Sequence, residues 1–265
     1  MLRAQLSVRT NGSELNLSLS FDSVHTHSIL LDIEGTTTPI DFVYKILFPF
    51  ASAHVDEFLT AHIQDNEIRS LVDELRQHHH RDAQSGASLR TWCDKTSAER
   101  VHSAAFYVQW LMKRDSKITA LKALQGKIWE AGYRDRELRG AVYPDVAPAL
   151  ARWRTQARRL AIFSSGSVLA QKLLFAYSTA GDLTALLDGF FDTTVGSKRE
   201  SGSYRRIAAG LGLADSEVLF LSDVTAELDS ARASGMQTGL VLRPGAPMQA
   251  TSSHATIRSF DEVFP

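Results

Sequence analysis

The sequence predicts an α/β fold in which a parallel sheet is interrupted, after its first strand, by an all-helical insert. Three observations predict it. Short apolar runs at residues 29–31, 159–163 and 218–221 each stop abruptly at a polar loop, DIEGTT, SSGS or SDVT. A segment with helical spacing follows each loop, and strand, polar turn and helix in repetition mark a parallel sheet. Between the first and second runs, apolar positions recur at intervals of three and four, the spacing of amphipathic helices.

The elements follow in chain order. Residues 1–26 form an N-terminal extension, where Leu15, Leu17, Leu19 and Phe21 alternate with polar residues as in an edge strand or hairpin. This stretch has no continuous apolar core and no small-residue cleavage site, so it does not read as a secretory signal. The core comprises 27–44 and 139–265, and the insert spans 45–138. Within the insert, Val101, Ala104, Ala105, Val108, Leu111 and Met112 form one helical stripe, and Ile118, Leu121, Leu124, Ile128 and Trp129 a second. Such a block reads as a cap over the sheet; a helical layer packed along the sheet is the alternative. The run HHHR at 78–81 has no cysteine or histidine at ligand spacing and reads as a solvated helix face. In the resumed core, Val168, Leu169, Leu173 and Leu174 precede Gly181, and Leu228 and Ala231 precede Gly235, each glycine a candidate helix stop. A further strand is expected over residues 239–242.

Composition excludes several classes. With 29 basic and 30 acidic residues in 265, the formal charge of −1 gives no footprint for nucleic acid. Hydrophobic residues make up 44%, yet no uncharged apolar run approaches the ~20 residues of a membrane helix. The single cysteine, Cys93, allows no internal disulfide and fits a reducing cytoplasm.

In open parallel sheets, ligands bind beyond the carboxyl ends of the strands. That rule gathers Asp32, Glu34, Ser164, Ser165 and Asp223 into one candidate site. Asp32 and Glu34 are two residues apart on extended chain and share a wall. With Asp223 they make a hard-oxygen cluster suited to Mg²⁺, which uses one or two carboxylates together with water and phosphate. The Ser164 and Ser165 hydroxyls and the Gly166 backbone, beside a helix start, suit a phosphoryl group. Lys198 would supply the compensating positive charge.

The segments LLDIEGTTTPIDFV, LKALQGKIWEAGY, VYPDVAPALARW, FSSGSVLAQKLLF, GSKRESGSYRRIA and FLSDVTAELDSA carry a resemblance. Four of them resemble the motifs of the haloacid dehalogenase-like phosphohydrolases, and the whole pattern, from about Ser28 to Pro265, is similar to the enolase-phosphatases of methionine salvage. The resemblance implies a Rossmann-like core of the haloacid dehalogenase type with an inserted helical cap. It further implies that Asp32 is the nucleophile forming an aspartyl-phosphate, and that Asp32, Asp223 and the carbonyl or carboxylate of Glu34 hold one Mg²⁺ per chain. Ser164, Ser165 and Gly166 would bind the phosphoryl oxygens, and Lys198 would fix the nucleophile. Glu227 is either an acid that orients the metal's ligands or a carboxylate complementing a helix N-terminus.

The implied substrate is 2,3-diketo-5-methylthiopentyl 1-phosphate, enolised and then dephosphorylated to an acireductone. Glu34 is the first candidate for the base, or else it only preserves metal geometry. The cap would exclude water and hold the methylthio tail, with Phe42, Tyr44 and Trp92 as candidates. A generic sugar-phosphate phosphatase or phosphomutase, a haloalkanoate dehalogenase and a silent binding scaffold are the rival readings. The expected partner is this small phosphorylated molecule alone, with no nucleic acid and no membrane, and the chain a cytoplasmic monomer.

Overall fold

The computed structural model describes residues 21–245 and 253–265. The alternating leucines of the extension lie outside them. Phe21, the last of that series, is buried edge-on against Phe264 with ring centroids 6.2 Å apart.

Six strands form one parallel sheet: β1 (Ser28–Leu31), β2 (Arg159–Phe163), β3 (Gly189–Phe191), β4 (Val218–Ser222), β5 (Gln237–Val241) and β6 (Ala255–Ile257). Their order, β3-β2-β1-β4-β5-β6, is the Rossmann order and reverses direction between β1 and β4. Leu31 at the end of β1 pairs with Ile162 on one side and Leu221 on the other, so the chain leaves both central strands at the same level. The strands read as unbroken apolar runs because both faces are covered. Ile29, Leu31, Ile162 and Leu221 point into one core, and Leu30, Phe163 and Phe220 into the other. Helices α6 (Val146–Thr155) and α7 (Val168–Ala176) cover the first face, and α8 (Ser201–Gly210) and α9 (Thr225–Ser234) the second.

Helix α9 stops at Gly235, whose φ of 115° is left-handed, as its position after the apolar stripe predicts. Helix α7 does not run to Gly181. It ends at Ala176, and Gly181 serves a later turn in which its carbonyl accepts the Ser178 hydroxyl at 2.5 Å.

Between β1 and β2 the chain is helical. The short α1 (Ile40–Phe42), a π-helical turn (Val43–Leu47) and α2 (Phe48–His62) run on without a break, so residue 45 falls inside that turn. Helices α3 (Asn66–Gln84), α4 (Ser97–Met112) and α5 (Thr119–Arg134) follow, α4 opening on a capping box between Thr96 and Glu99. Helices α2 to α5 pack mainly on one another, and α5 reaches the core through α7. The close approach depends on Gly126, where a Cβ would lie 3.3 Å from Leu169.

The histidine run is not uniformly solvated. His79 is buried, its Nε2 2.9 Å from the Arg90 carbonyl and its ring edge-on to Trp92 and Tyr107. It is a core histidine, because the partners that bury it come from later segments. Among the described residues, no helix is long and apolar enough to cross a membrane.

Candidate active site

Asp32 is the first residue beyond β1, and its N–H still bonds the Leu221 carbonyl at 3.0 Å, so the β1–β4 ladder fixes its backbone. Its carboxylate is almost wholly buried. Oδ1 accepts the Ile33 N–H at 2.7 Å, and Oδ2 accepts the Ser222 hydroxyl at 3.0 Å. Lys198 Nζ lies 2.6 Å from Asp32 Oδ1 and 2.6 Å from Glu227 Oε2. The Ser222 hydroxyl also stands 3.2 Å from Glu227 Oε2, which closes a ring of four side chains.

The lysine is held from behind. Tyr204, buried on α8, donates its hydroxyl to the Lys198 carbonyl at 2.7 Å. Glu227 sits in the first turn of α9. It complements that helix N-terminus and also clamps Lys198 beside Asp32.

The DIEGTT loop is tied down by its threonines. Thr37 Oγ1 donates to the Asp32 carbonyl at 3.1 Å, and Thr36 Oγ1 accepts the Asp223 N–H at 3.0 Å. Gly35 adopts a φ of +72°, and a Cβ there would lie 2.1 Å from Asp223 Oδ2. The backbone just past Glu34 thus lies directly against the Asp223 carboxylate, across the point where the strand order reverses. The VYPD segment braces the same loop, since Asp145 pairs with buried Arg243 at 2.6 Å and Arg243 Nε donates to the Thr36 carbonyl at 2.8 Å.

Opposite these acids, the SSGS loop leads into α7, whose N-cap Ser167 accepts the Ala170 N–H. Ser164 is buried and its hydroxyl accepts the Gly166 N–H at 3.1 Å, whereas Ser165 is exposed. The Ser165 carbonyl accepts the Lys122 ammonium of α5 at 3.1 Å, a direct link from the insert to this loop.

All of these predicted groups line one cavity of about 600 Å³: the acids Asp32, Glu34, Asp223 and Glu227 with Lys198, and the Ser164, Ser165, Gly166 loop. The helical segment after β1 supplies the other wall, with Val43, Leu47, Phe48, Leu121 and Trp129 as its apolar part. Tyr44 lies on the cavity rim. Phe42 is buried in the core, and Trp92 packs on His79 and Tyr107, so neither faces the cavity. Sequence reading missed Ser222, Thr36, Tyr204 and Lys122. Only Ser222, as the residue preceding Asp223, carried a usable signal.

The electrostatics follow from four carboxyl groups around one ammonium. Burial, then the charge of Asp32, raises the Glu34 carboxyl. The same two causes in the same order push Asp223 and Glu227 each up to about 7. Burial alone would lower Lys198, but Asp32 and Glu227 outweigh it and raise it. One lysine cannot neutralise four acids, so this donor set calls for a further cation. Among the described residues, no three histidine, cysteine or acidic side chains close into a metal cage. Mg²⁺ does not need one: two aspartates, a backbone carbonyl, water and phosphate oxygen satisfy it. Asp32 and Asp223, with the Glu34 segment between them, fit that requirement.

The sequence profile of the haloacid dehalogenase-like hydrolases matches residues 26–235. The enolase-phosphatase E1 of Synechococcus elongatus is 50% identical over 236 residues, 89% of this chain and 97% of that protein. The enolase-phosphatase E1 of Sorangium cellulosum is 46% identical over 244 residues, 90% of this chain and 97% of its own length. Among solved structures, the UTR4 protein of Saccharomyces cerevisiae superposes with a TM-score of 0.72 at 34% identity, covering 89% of this chain and 99% of that one. A haloacid dehalogenase phosphatase from Thermococcus onnurineus, at a TM-score of 0.53 and 19% identity, shares the fold over 89% of this chain and 95% of that one.

Proposed function

Since this chain belongs to the enolase-phosphatases of the haloacid dehalogenase-like hydrolases, we propose that the cavity at the carboxyl edge of its sheet carries out both halves of the family reaction. The protein is a phosphatase with enolase activity. It converts 2,3-diketo-5-methylthiopentyl 1-phosphate to the acireductone 1,2-dihydroxy-3-keto-5-methylthiopentene in methionine salvage. The observation that carries the assignment of roles is the clamp of Lys198 between Asp32 and Glu227 at 2.6 Å.

In this reading, the substrate phosphate lies between Asp32 and the SSGS loop, bound by Ser164, Ser165 and the Gly166 backbone at the start of α7. The insert, taken as a cap over residues 45–138, closes the cavity against water and holds the methylthio tail on its apolar wall. Glu34 removes a proton from carbon 1, a C1–C2 double bond forms, and the Glu34 carboxyl, now acting as acid, returns the proton to the carbon 2 oxygen, which becomes a hydroxyl. A carboxyl raised by burial is suited to such a base, because it holds a proton nearer neutral pH than an exposed one.

Asp32 then attacks phosphorus, the P–O bond to carbon 1 breaks, and the leaving oxygen takes a proton to give the enediol. Water hydrolyses the aspartyl-phosphate and restores Asp32. Lys198 keeps Asp32 oriented and offsets the charge that grows on the transferring group. Enzymes of this family are generally Mg²⁺-dependent, and one Mg²⁺ on Asp32, Asp223 and the Glu34 carbonyl or carboxylate would polarise the substrate and offset repulsion between nucleophile and phosphate. We place the enzyme in the cytoplasm as a monomer. The lone exposed Cys93 supports the cytoplasmic part of that reading.

An ultraviolet time course with the diketone phosphate, with and without Mg²⁺ and with phosphate measured in the same tube, tests the reading. An enolic chromophore followed by phosphate, both dependent on Mg²⁺, is expected. Phosphate from simple sugar phosphates with no enol would leave a phosphatase of another specificity.

A further inference from the structure

One helix of the insert carries a polar group that nothing in the fold uses. Helix α5 presents Leu121, Lys122, Gln125 and Trp129 to the cavity. Three of these are accounted for: Leu121 is apolar wall, Lys122 Nζ donates to the Ser165 carbonyl at 3.1 Å, and Trp129 Nε1 donates to the Leu47 carbonyl at 2.8 Å. Gln125 is only 6% exposed, yet its carboxamide has no hydrogen-bond partner among the described residues. The other two glutamines on the cavity have their amide nitrogens occupied, while the Gln171 carboxamide oxygen is buried without a partner. Gln109 Nε2 donates to the Ser52 carbonyl at 3.2 Å, and Gln171 Nε2 to the Gly166 and Phe191 carbonyls at 2.8 Å each. No protein group among the described residues pairs this amide and it opens on the cavity, so it stands ready to bond a ligand held there.

The position of this amide relative to the phosphoryl loop is fixed from both sides. Lys122, three residues earlier, grips the Ser165 carbonyl. Gly126, the next residue, brings the backbone to where a Cβ would lie 3.3 Å from Leu169 and 3.9 Å from the Ser167 hydroxyl. Three residues of helix rise about 4.5 Å. A substrate anchored by its phosphate on that loop therefore places the atoms just beyond the ester, and not its far tail, near Gln125. In the diketone those atoms are the carbonyls on carbons 2 and 3, which offer only acceptor oxygens. A carboxamide brings two N–H donors to them, and its oxygen accepts the hydroxyl that enolisation creates. An ammonium there would bond the carbonyls but offer nothing to that hydroxyl.

We propose that Gln125 is the specificity-determining residue for the dicarbonyl, its Nε2 donating to a carbonyl oxygen of the substrate; the inference rests on the enolase-phosphatase reading above. The test compares wild type with Gln125→Leu, which keeps the size and removes the hydrogen bonds. The diketone phosphate and pentyl 1-phosphate, which has the same ester and no carbonyls, are the two substrates. The ratio of kcat/KM for the diketone over pentyl 1-phosphate should fall roughly tenfold to a hundredfold in the variant, as expected when a buried carbonyl is left unpaired. Competitive inhibition by inorganic phosphate is measured alongside to report on the phosphoryl loop. An unchanged ratio, or a parallel loss on both substrates with weakened phosphate inhibition, overturns the assignment of Gln125. Failure of the wild type to enolise the diketone overturns the parent reading, and with it this one. Gln125→Glu, which replaces the N–H donors by an acceptor-only carboxylate facing the substrate's acceptor oxygens, should lower the ratio at least as far; a ratio at the wild-type value in that variant also overturns the assignment.

Discussion

Lys198 Nζ and Asp32 Oδ1 stand 2.6 Å apart, both side chains nearly excluded from solvent. The pair joins the carboxyl edge of β1 to the segment between β3 and α8, which no local sequence feature connects. In the proposed reaction it positions the nucleophile and supplies a positive charge where the phosphoryl group would meet it.

Replacing that charge is the first prediction. Lys198→Ala should lower phosphate release by ~10²–10³, the usual cost of losing one transition-state donor. Circular dichroism should show the fold retained. Near-normal turnover would remove Lys198 from the chemistry.

Tyr204→Phe tests whether the lysine is positioned from behind. The variant keeps the ring packing against Phe163 and Phe220 and loses only the hydroxyl that bonds the Lys198 carbonyl. An unpaired buried carbonyl costs ~1–3 kcal/mol. Turnover should fall by about tenfold, less than for Lys198→Ala, with KM little changed. A loss confined to KM would contradict a positioning role.

Gly35→Ala should disable the enzyme without unfolding it. The left-handed φ of +72° and a Cβ 2.1 Å from Asp223 Oδ2 force either the loop or the carboxylate to move. A displacement of that kind costs ~10²-fold in rate, and the backbone strain costs about 1–3 kcal/mol in stability. Steady-state kinetics and urea denaturation would show both.

The crowded acids make stability depend on pH. Asp223 and Glu227 rise from 3.8 and 4.5 to about 7 on folding, first through burial and then through Asp32. The folded chain therefore holds these protons more tightly than the unfolded chain does. Their stabilising contribution is complete below pH of about 4 and is lost as pH rises through about 7. In chelator, Tm should be lower at pH 8 than at pH 6, and added Mg²⁺ should raise Tm more at pH 8. A Mg²⁺ effect of equal size at both values would contradict this account.

How much of this was legible in sequence follows from which forces are local. Strands β1, β2 and β4 are buried on both faces and show as unbroken apolar runs. Strands β3 and β6 have three residues each and sit at the sheet edges, too short for a pattern. Asp32, Glu34 and Asp223 could be gathered because strand ends converge in any parallel sheet. Thr36 and Tyr204 could not, since a hydroxyl acquires its role only from a partner distant in sequence. His79 was misread for the same reason, because Trp92 and Tyr107 bury it from other segments.

The central claim is that two steps share one site and that Asp32 acts as nucleophile only in the second. Asp32→Asn with the diketone phosphate and Mg²⁺, followed by ultraviolet absorbance and phosphate release together, tests it most directly. The account predicts that the enolic chromophore still appears and accumulates while phosphate release stops. Equal loss of both signals, in a variant that still binds Mg²⁺, would contradict it.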